Sequence, residues 1–163
     1  MNYNSLFGWN DNTTERIIEW INITHGIATA SGYLNIPRDF ENCNIGERID
    51  AEFCTFGIDS NFITGNSIIA GAKENKFWDL EIQNLTKQLK KLQNEKIPLI
   101  FRPFHEAEGN CGIDGSGAWF WWGKDGAETY IKFWKYLFEK LTIEYDLHNI
   151  IWEQIYIQIL LIL

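Results

Sequence analysis

Basic side chains are scarce in this sequence, and their scarcity excludes two classes of partner. The 163 residues include 14 lysines and arginines against 22 aspartates and glutamates, so the formal net charge is −8. Nucleic-acid binding needs a basic stripe that neutralises phosphates, and an anionic membrane surface also attracts cations. We therefore expect neither nucleic acid nor a membrane as a partner, whereas a neutral polymer would meet no such repulsion.

Cysteines are few, and the motifs of several enzyme classes are missing. Cys43, Cys54 and Cys111 are an odd number without a C-x-x-C spacing, so we expect free structural thiols and no zinc site. The sequence contains no H-E-x-x-H motif, no glycine-rich nucleotide-binding motif and no G-x-S-x-G elbow. We therefore expect no metal and no cofactor, and we do not expect a serine hydrolase.

Neither end of the chain matches a targeting or membrane-spanning segment. The first twelve residues lack the basic and apolar regions of a signal peptide, so we expect none in this chain. The segment 155–163 is apolar but too short to cross a bilayer.

Helix-like and strand-like patterns alternate along the chain, which predicts an α/β fold. We predict helices over residues 13–23, 75–96 and 126–145, strands over residues 27–34, 97–101 and 149–152, and mostly loop over residues 35–72. Such alternation implies parallel strands with helices outside the sheet. The fold is then an open doubly wound sheet or part of a (β/α)₈ barrel, and both place ligands at the carboxyl ends of the strands.

Local signals support two of the predicted helices. Asn12 and Glu15 have the spacing of an N-terminal capping box, and Gly26 is expected to end the first helix. The second helix carries apolar residues at alternating spacings of four and three, which places them on one face. They are Trp78, Ile82, Leu85, Leu89 and Leu92.

A cluster of charged and polar residues, FRPFHE, closes the apolar strand 97–101. We expect Arg102, His105 and Glu106 to project into the mouth of the fold. A carboxyl group among aromatic side chains is partly removed from water, which favours its protonated form and suits Glu106 to general acid/base catalysis. His105 can orient a neighbouring group, and Arg102 can hold a second carboxylate in its ionised form.

Three tryptophans follow the polar cluster within the segment AWFWWG. A loop that contains four glycines, over residues 109–119, leads into it. Indole faces stack against the C–H faces of sugar rings, and their N–H groups donate to hydroxyls. We therefore expect at least one of Trp119, Trp121 and Trp122 to contact a ligand, while alternation turns Phe120 and some indoles inward.

The segments IPLIFRPFHEAEG and GAWFWWGKDGAETY, with the earlier LNIPRDF, resemble glycoside hydrolase family 26. The resemblance runs from about residue 6 to 152 and leaves 153–163 as a divergent tail. It implies a retaining (β/α)₈ barrel that cleaves β-1,4-mannans, with an acid/base glutamate closing the fourth strand and a nucleophile closing the seventh. Such enzymes act on extracellular polymers, so the resemblance also implies an extracellular location.

The resemblance assigns roles position by position. Glu106 matches the acid/base, His105 and Arg102 match the residues that support the catalytic carboxylates, Trp119 matches the tryptophan that lines the sugar site, and Trp122 supports that wall. The chain departs from the family at the end of the third strand. The family often carries an aromatic–histidine pair there, where this chain has Gly32 and Tyr33.

The length of the chain is the second departure from the family. A complete barrel takes about 250 residues, and the predicted strands correspond to about the second or third to the fifth strand. No position matches the nucleophile, and Glu153 is the only other carboxylate at a predicted strand end. We therefore expect a single, incomplete catalytic domain over residues 1–163 and a truncated product of a mannanase gene.

The favoured interpretation is an endo-β-1,4-mannanase fragment that acts on mannan, galactomannan or glucomannan and is inactive if no nucleophile is supplied. Alternatives are a β-glucanase or xylanase of the same family, a carbohydrate-binding fragment without catalysis, and a relic that does not fold stably.

Overall fold

The computed structural model describes residues 2–4, 11–107, 109 and 112–153. Six strands and three α-helices lie in these ranges. The strands are β1 (Asn2–Asn4), β2 (Ala28–Tyr33), β3 (Ile36–Pro37), β4 (Cys54–Thr55), β5 (Leu99–Pro103) and β6 (Ile150–Trp152). The helices are α1 (Thr13–Thr24), α2 (Lys73–Asn94) and α3 (Ala127–Glu139), joined by 3₁₀ turns at Ala51–Phe53 and Thr64–Ile68 and a π turn at Lys140–Glu144.

Four strands form a parallel sheet in the order β1-β2-β5-β6. Each crossover between neighbouring strands contains a helix, as parallel pairing requires. The strands β3 and β4 form a separate antiparallel pair beside the end of β2. The structure therefore confirms the parallel α/β architecture that the alternating helix-like and strand-like segments predict. Which strands of the family barrel these four correspond to stays a prediction.

The two faces of the sheet differ in what covers them. Ala30, Leu99 and Phe101 point to one face, where they are buried in the core with apolar residues of all three helices. On the opposite face Thr29 is exposed, and Ile151 is 56% exposed. Successive side chains of a strand alternate between faces, so the helices cover one side and leave the other open in the described residues.

The helix α2 buries the apolar face that its sequence predicts. Trp78, Ile82, Leu85, Leu89 and Leu92 are all at most 1% exposed. Fully burying one such side chain contributes about 1.5–3 kcal/mol, so this stripe fixes the helix on the sheet. The observed helix begins two residues before the predicted one and ends two residues earlier.

The predicted ends of α1 are wrong in detail. Asn12 lies in the left-handed region with φ 60° and makes no capping hydrogen bond. The carboxylate of Asp11 does so instead, accepting from the backbone N–H of Thr13 at 2.9 Å. At the other end His25, not Gly26, takes the left-handed conformation, and its N–H donates to the carbonyl of Ile21 at 2.8 Å.

Two further regions differ from the sequence prediction. The strand β1 has no counterpart in it, because three residues of sequence NYN are too short and too polar to show a pattern. The segment predicted as mostly loop contains β3, β4 and both 3₁₀ turns. The divergent tail and the apolar C-terminal segment lie, apart from Glu153, outside the described residues.

Two cysteines can be placed. Cys43 is half-buried and Cys54 is buried, and both are free thiols, as predicted. Burial raises the pKa of Cys54 to about 11. Cys111 lies outside the described residues. No helix in the described part of the chain is long and apolar enough to cross a membrane.

Candidate active site

The predicted polar cluster lies at the carboxyl end of β5, a central strand of the sheet. Arg102 is within the strand, and His105 and Glu106 belong to the turn that follows it. Parallel sheets bind ligands at this edge. The structure therefore brings all three residues to the position where the sequence places a catalytic site.

The turn that carries Glu106 is backbone-strained and firmly held. Phe104 and Glu106 have φ values of 54° and 53°, a left-handed conformation that costs a non-glycine residue about 1–2 kcal/mol. Each carbonyl of residues 104 to 106 accepts a hydrogen bond. The donors are the Tyr130 hydroxyl at 3.1 Å, the Trp122 indole at 3.1 Å and the Gly109 N–H at 3.1 Å. Strain that persists under such support is typical of functional sites.

The side chain of His105 is buried among aromatic rings. Its ring centroid lies 4.4 Å from that of Tyr33, 5.3 Å from that of Phe120 and 5.8 Å from that of Trp122. Burial lowers the pKa of His105, Arg102 adds to that effect, and Glu106 opposes it. Within the described residues neither ring nitrogen has a hydrogen-bond partner. The lowered pKa favours the neutral imidazole, whose two ring nitrogens are buried among these aromatic rings.

Arg102 faces the second carboxylate at this edge of the sheet. Its Nε lies 3.5 Å from Oε2 of Glu153, which directly follows β6. The backbone N–H of Glu153 also donates to the carbonyl of Phe101 at 3.0 Å. Glu153 is therefore the carboxylate that Arg102 faces, by an ion pair without a hydrogen bond from Nε in the described residues, and a role of Arg102 in catalysis stays a prediction.

Trp119 is partly exposed to solvent next to the turn that carries Glu106. It is 44% exposed, and it packs against Gly109, where a Cβ would lie only 2.9 Å from Cγ of the indole. Gly109 also has φ +50°, and its N–H donates to the carbonyl of Glu106. A single glycine thus couples the position of the exposed indole to that of Glu106.

The WFWW segment turns Phe120 and two of its three indoles inward, as predicted, but not through the alternation of a strand. The segment forms turns rather than a strand, and Phe120, Trp121 and Trp122 are all buried, with exposures of 8%, 0% and 0%. Phe120 and Trp122 stack at 4.5 Å with their planes 12° apart. Trp122 is fully buried, and its indole N–H donates to the carbonyl of His105, while a role in substrate binding stays a prediction.

Trp121 joins three parts of the fold, which its sequence context does not reveal. Its indole N–H donates to the carbonyl of Leu34 at 2.7 Å, and its own carbonyl accepts from the Thr64 hydroxyl at 2.7 Å. Its backbone N–H donates to the carbonyl of Phe56 at 3.2 Å. Trp121 is therefore a core residue that anchors the site.

Sequence reasoning named Tyr33 only as a departure from the family and missed Phe56, and these two aromatic rings lie beside the candidate site. Their ring centroids are 5.8 Å apart, and that of Phe56 lies 6.0 Å from that of Phe120. Tyr33 is at the end of β2, and a position at a strand end is the signal that could have marked it. Among the residues that the structure describes, no group of three or more histidines, cysteines or acidic residues could hold a metal ion.

Comparisons with known proteins agree with the sequence resemblance. The family model described as Glycosyl hydrolase family 26 matches residues 10–156. Mannan endo-1,4-beta-mannosidase B of Piromyces sp is 30% identical over 145 residues, which cover 88% of this chain and 22% of that protein.

Two solved structures are also similar. A ruminal GH26 endo-beta-1,4-mannanase has 58% identity and a TM-score of 0.89, over 94% of this chain and 32% of that one. The GH26 domain of an endo-beta-mannanase/endo-beta-glucanase from Prevotella bryantii has 31% identity and a TM-score of 0.78, over 94% and 48%.

The chain spans less than half the length of each of these three relatives. The structural likeness implies the (β/α)₈ barrel of that family, of which the described residues form a part with four parallel strands. Because the family model matches residues 10–156 of the 163, this chain belongs to glycosyl hydrolase family 26.

Proposed function

We propose that this chain contributes the acid/base half of an endo-β-1,4-mannanase active site, with Glu106 as the general acid/base. The observation that carries the proposal is the coupling of Glu106 to an exposed indole. Glu106 lies in a strained turn at the carboxyl end of β5, and Gly109 links its carbonyl to Trp119. Protonation of a glycosidic oxygen needs a positioned carboxyl group, and a nearby exposed indole offers a face on which the sugar can stack.

The proposed substrate is a neutral β-1,4-mannan, including galactomannan and glucomannan. The Piromyces relative and the ruminal structure are both named for β-1,4-mannan cleavage. The net charge of −8 agrees with a neutral polymer rather than a polyanion. Because mannan is an extracellular polymer, we also propose that the protein acts outside the cell.

The proposed mechanism retains the anomeric configuration. Glu106 protonates the leaving glycosidic oxygen while a second carboxylate attacks the anomeric carbon, and Glu106 then takes a proton from the water that releases the sugar. Trp119 stacks against the sugar ring, and Trp122 supports the wall from behind. His105 and Arg102 orient the carboxylates.

This mechanism also needs a second carboxylate that acts as the nucleophile. A retaining enzyme needs its two carboxyl groups about 5–5.5 Å apart. Glu153 is at a neighbouring strand end, but its carboxylate is ion-paired with Arg102. We propose that the nucleophile comes from barrel strands beyond the described residues, which would continue the sheet at the edge formed by β6.

A second candidate function is carbohydrate binding without cleavage. The described residues favour it in one respect, because Glu153 is ion-paired with Arg102 and no matching position for the family nucleophile was found in the sequence. In that case the exposed Trp119 would still hold a sugar. Cleavage of β-glucan or xylan instead of mannan is the other alternative within the same family.

Release of reducing ends from soluble galactomannan tests these proposals, with β-glucan and xylan assayed in parallel. The control is Glu106→Gln, which keeps the shape of the side chain and removes its titratable proton. Galactomannan cleavage that is lost in Glu106→Gln supports the mannanase. Cleavage that persists in Glu106→Gln contradicts the role of Glu106. Sugar binding without cleavage, equal in both proteins, fits both the binding function and a mannanase whose nucleophile lies outside the described residues.

A further inference from the structure

The loop after β4 holds a second exposed aromatic ring next to the candidate site. Phe56 is 47% exposed, close to the 44% of Trp119. We propose that Phe56 contacts the substrate directly and forms a second wall of the sugar cleft, on the β2 side of Glu106. This inference rests on the proposed function, because it assigns a further contact for the same polysaccharide.

The strand register places Phe56 at the carboxyl edge of the sheet. In the antiparallel pair Ile36 lies opposite Thr55, so the next residue after β4 lies beside the chain that has just left β2. Arg102, near the end of β5, and Glu106, in the turn that follows β5, lie at the same edge, because β5 is the neighbour of β2. Phe56 therefore reaches the mouth of the fold although it is 50 residues away from Glu106 in the sequence.

Ring contacts connect Phe56 to the catalytic turn. Its ring centroid lies 5.8 Å from that of Tyr33 in an edge-on arrangement, and the ring of Tyr33 lies 4.4 Å from that of His105. On its other side Phe56 lies 6.0 Å from Phe120, which directly follows Trp119. Phe56 is thus the exposed member of an aromatic cluster around His105. The next residue, Gly57, lies near Trp119, since a Cβ there would be 3.9 Å from the Trp119 carbonyl oxygen.

The backbone around Phe56 is held in place by hydrogen bonds. Its carbonyl accepts from the N–H of Trp121 at 3.2 Å. The hydroxyl of Thr55 donates to the carboxylate of Asp59 at 2.5 Å and accepts from the N–H of Gly57 at 2.9 Å. Asp59 is also ion-paired with Arg38. A contact residue fixed before binding loses little freedom when the ligand arrives, which is the property expected of a binding wall.

The exposure of Phe56 alone would prove nothing, because single exposed apolar residues are common. Phe53, three residues earlier, is 58% exposed and lines a different hollow with Asp39 and Cys43. The difference is that Phe56 belongs to the cluster around His105. Phe53 therefore provides a matched control from the same segment.

Titration calorimetry with mannohexaose tests the inference, in the Glu106→Gln background so that the ligand is not consumed. Loss of one stacked ring is expected to weaken the affinity of Phe56→Ala about tenfold, whereas Phe56→Tyr stays within about twofold of the parent. Phe53→Ala is expected to bind like the parent. Circular dichroism and urea unfolding verify that each variant is folded, and Phe56→Leu replaces Phe56→Ala if the latter is unfolded.

The outcomes separate this inference from the function on which it rests. If the parent binds mannohexaose, and Phe56→Ala and Phe56→Leu bind as tightly as Phe53→Ala, Phe56 is not a contact residue and the inference is overturned. If the folded parent itself binds no mannohexaose, the proposed function is contradicted, and the inference about Phe56, which depends on it, is overturned as well.

Discussion

The Nε atom of Arg102 lies 3.5 Å from the Oε2 atom of Glu153, so the ends of β5 and β6 are joined by an ion pair at the candidate site. Both side chains are partly exposed, with exposures of 27% and 44%. Water and salt therefore screen their attraction. The pair also determines which carboxylate is available as a second catalytic group.

We expect a weak energetic coupling between Arg102 and Glu153. A double-mutant cycle of Arg102→Gln and Glu153→Gln, measured by urea unfolding, should give a coupling of about 0.2–1 kcal/mol that decreases at high salt. A coupling above about 3 kcal/mol, as for a buried ion pair, would contradict the partly exposed geometry.

The left-handed backbone conformation of Glu106 is expected to lower the stability of the fold. Asparagine tolerates the left-handed conformation better than glutamate. Glu106→Asn should therefore raise the free energy of unfolding by up to about 1 kcal/mol, whereas Glu106→Gln should leave it nearly unchanged. Urea unfolding measures both, and a clear destabilisation of Glu106→Asn would show that the carboxylate stabilises the fold.

Gly109 should control the position of Trp119. An alanine there would have a strained left-handed backbone, at a cost of about 1–2 kcal/mol, and its Cβ would displace the indole. We expect Gly109→Ala to weaken mannohexaose binding and to shift the tryptophan fluorescence.

The matched control for Gly109 is Gly71→Ala. Gly71 has φ +86°, and a Cβ there would meet no atom within 4 Å. Gly71→Ala should lose a similar amount of stability without a change in sugar affinity. Equal affinities for the two variants would mean that the contact between Gly109 and Trp119 is irrelevant to binding.

His105 should make the folded chain less stable in mild acid. Burial lowers its pKa in the folded state, whereas an unfolded histidine titrates near about 6.5. Below that pH the unfolded chain binds more protons, so the free energy of unfolding falls as the pH decreases and is fully restored above it.

Urea unfolding between about pH 7 and pH 5 measures this histidine effect. His105→Gln should flatten the pH dependence. A His105→Gln curve parallel to that of the unmodified chain would contradict the burial argument.

The sequence predicts the parts of this fold that depend on local periodicity. The stripe from Trp78 to Leu92 is visible as a helical spacing, and each of its members is buried as expected. The strand before Arg102 is equally clear, because it is a short apolar run that ends in charged residues. The position of Glu106 at a strand end follows from that run alone.

Contacts between distant segments could not be predicted in the same way. Trp119 and Trp121 are two residues apart and chemically identical, yet one is exposed and the other is buried against Leu34 and Thr64. Phe56 has no local signal at all, because its position depends on the register of β3 and β4. Turn geometry and long-range strand pairing determine the positions of these residues, and neither produces a periodic pattern in the sequence.

The most direct test of the account is the binding of mannohexaose and cellohexaose to the intact chain, with the products of each sample analysed afterwards. We predict that the unmodified chain and Glu106→Gln both bind mannohexaose. Their affinity for mannohexaose should be at least about tenfold higher than their affinity for cellohexaose, a difference in binding free energy of about 1.4 kcal/mol. Any product should be absent with Glu106→Gln. Equal affinity for the two sugars, or no binding of mannohexaose by folded protein, would contradict the assignment of this site to β-mannan.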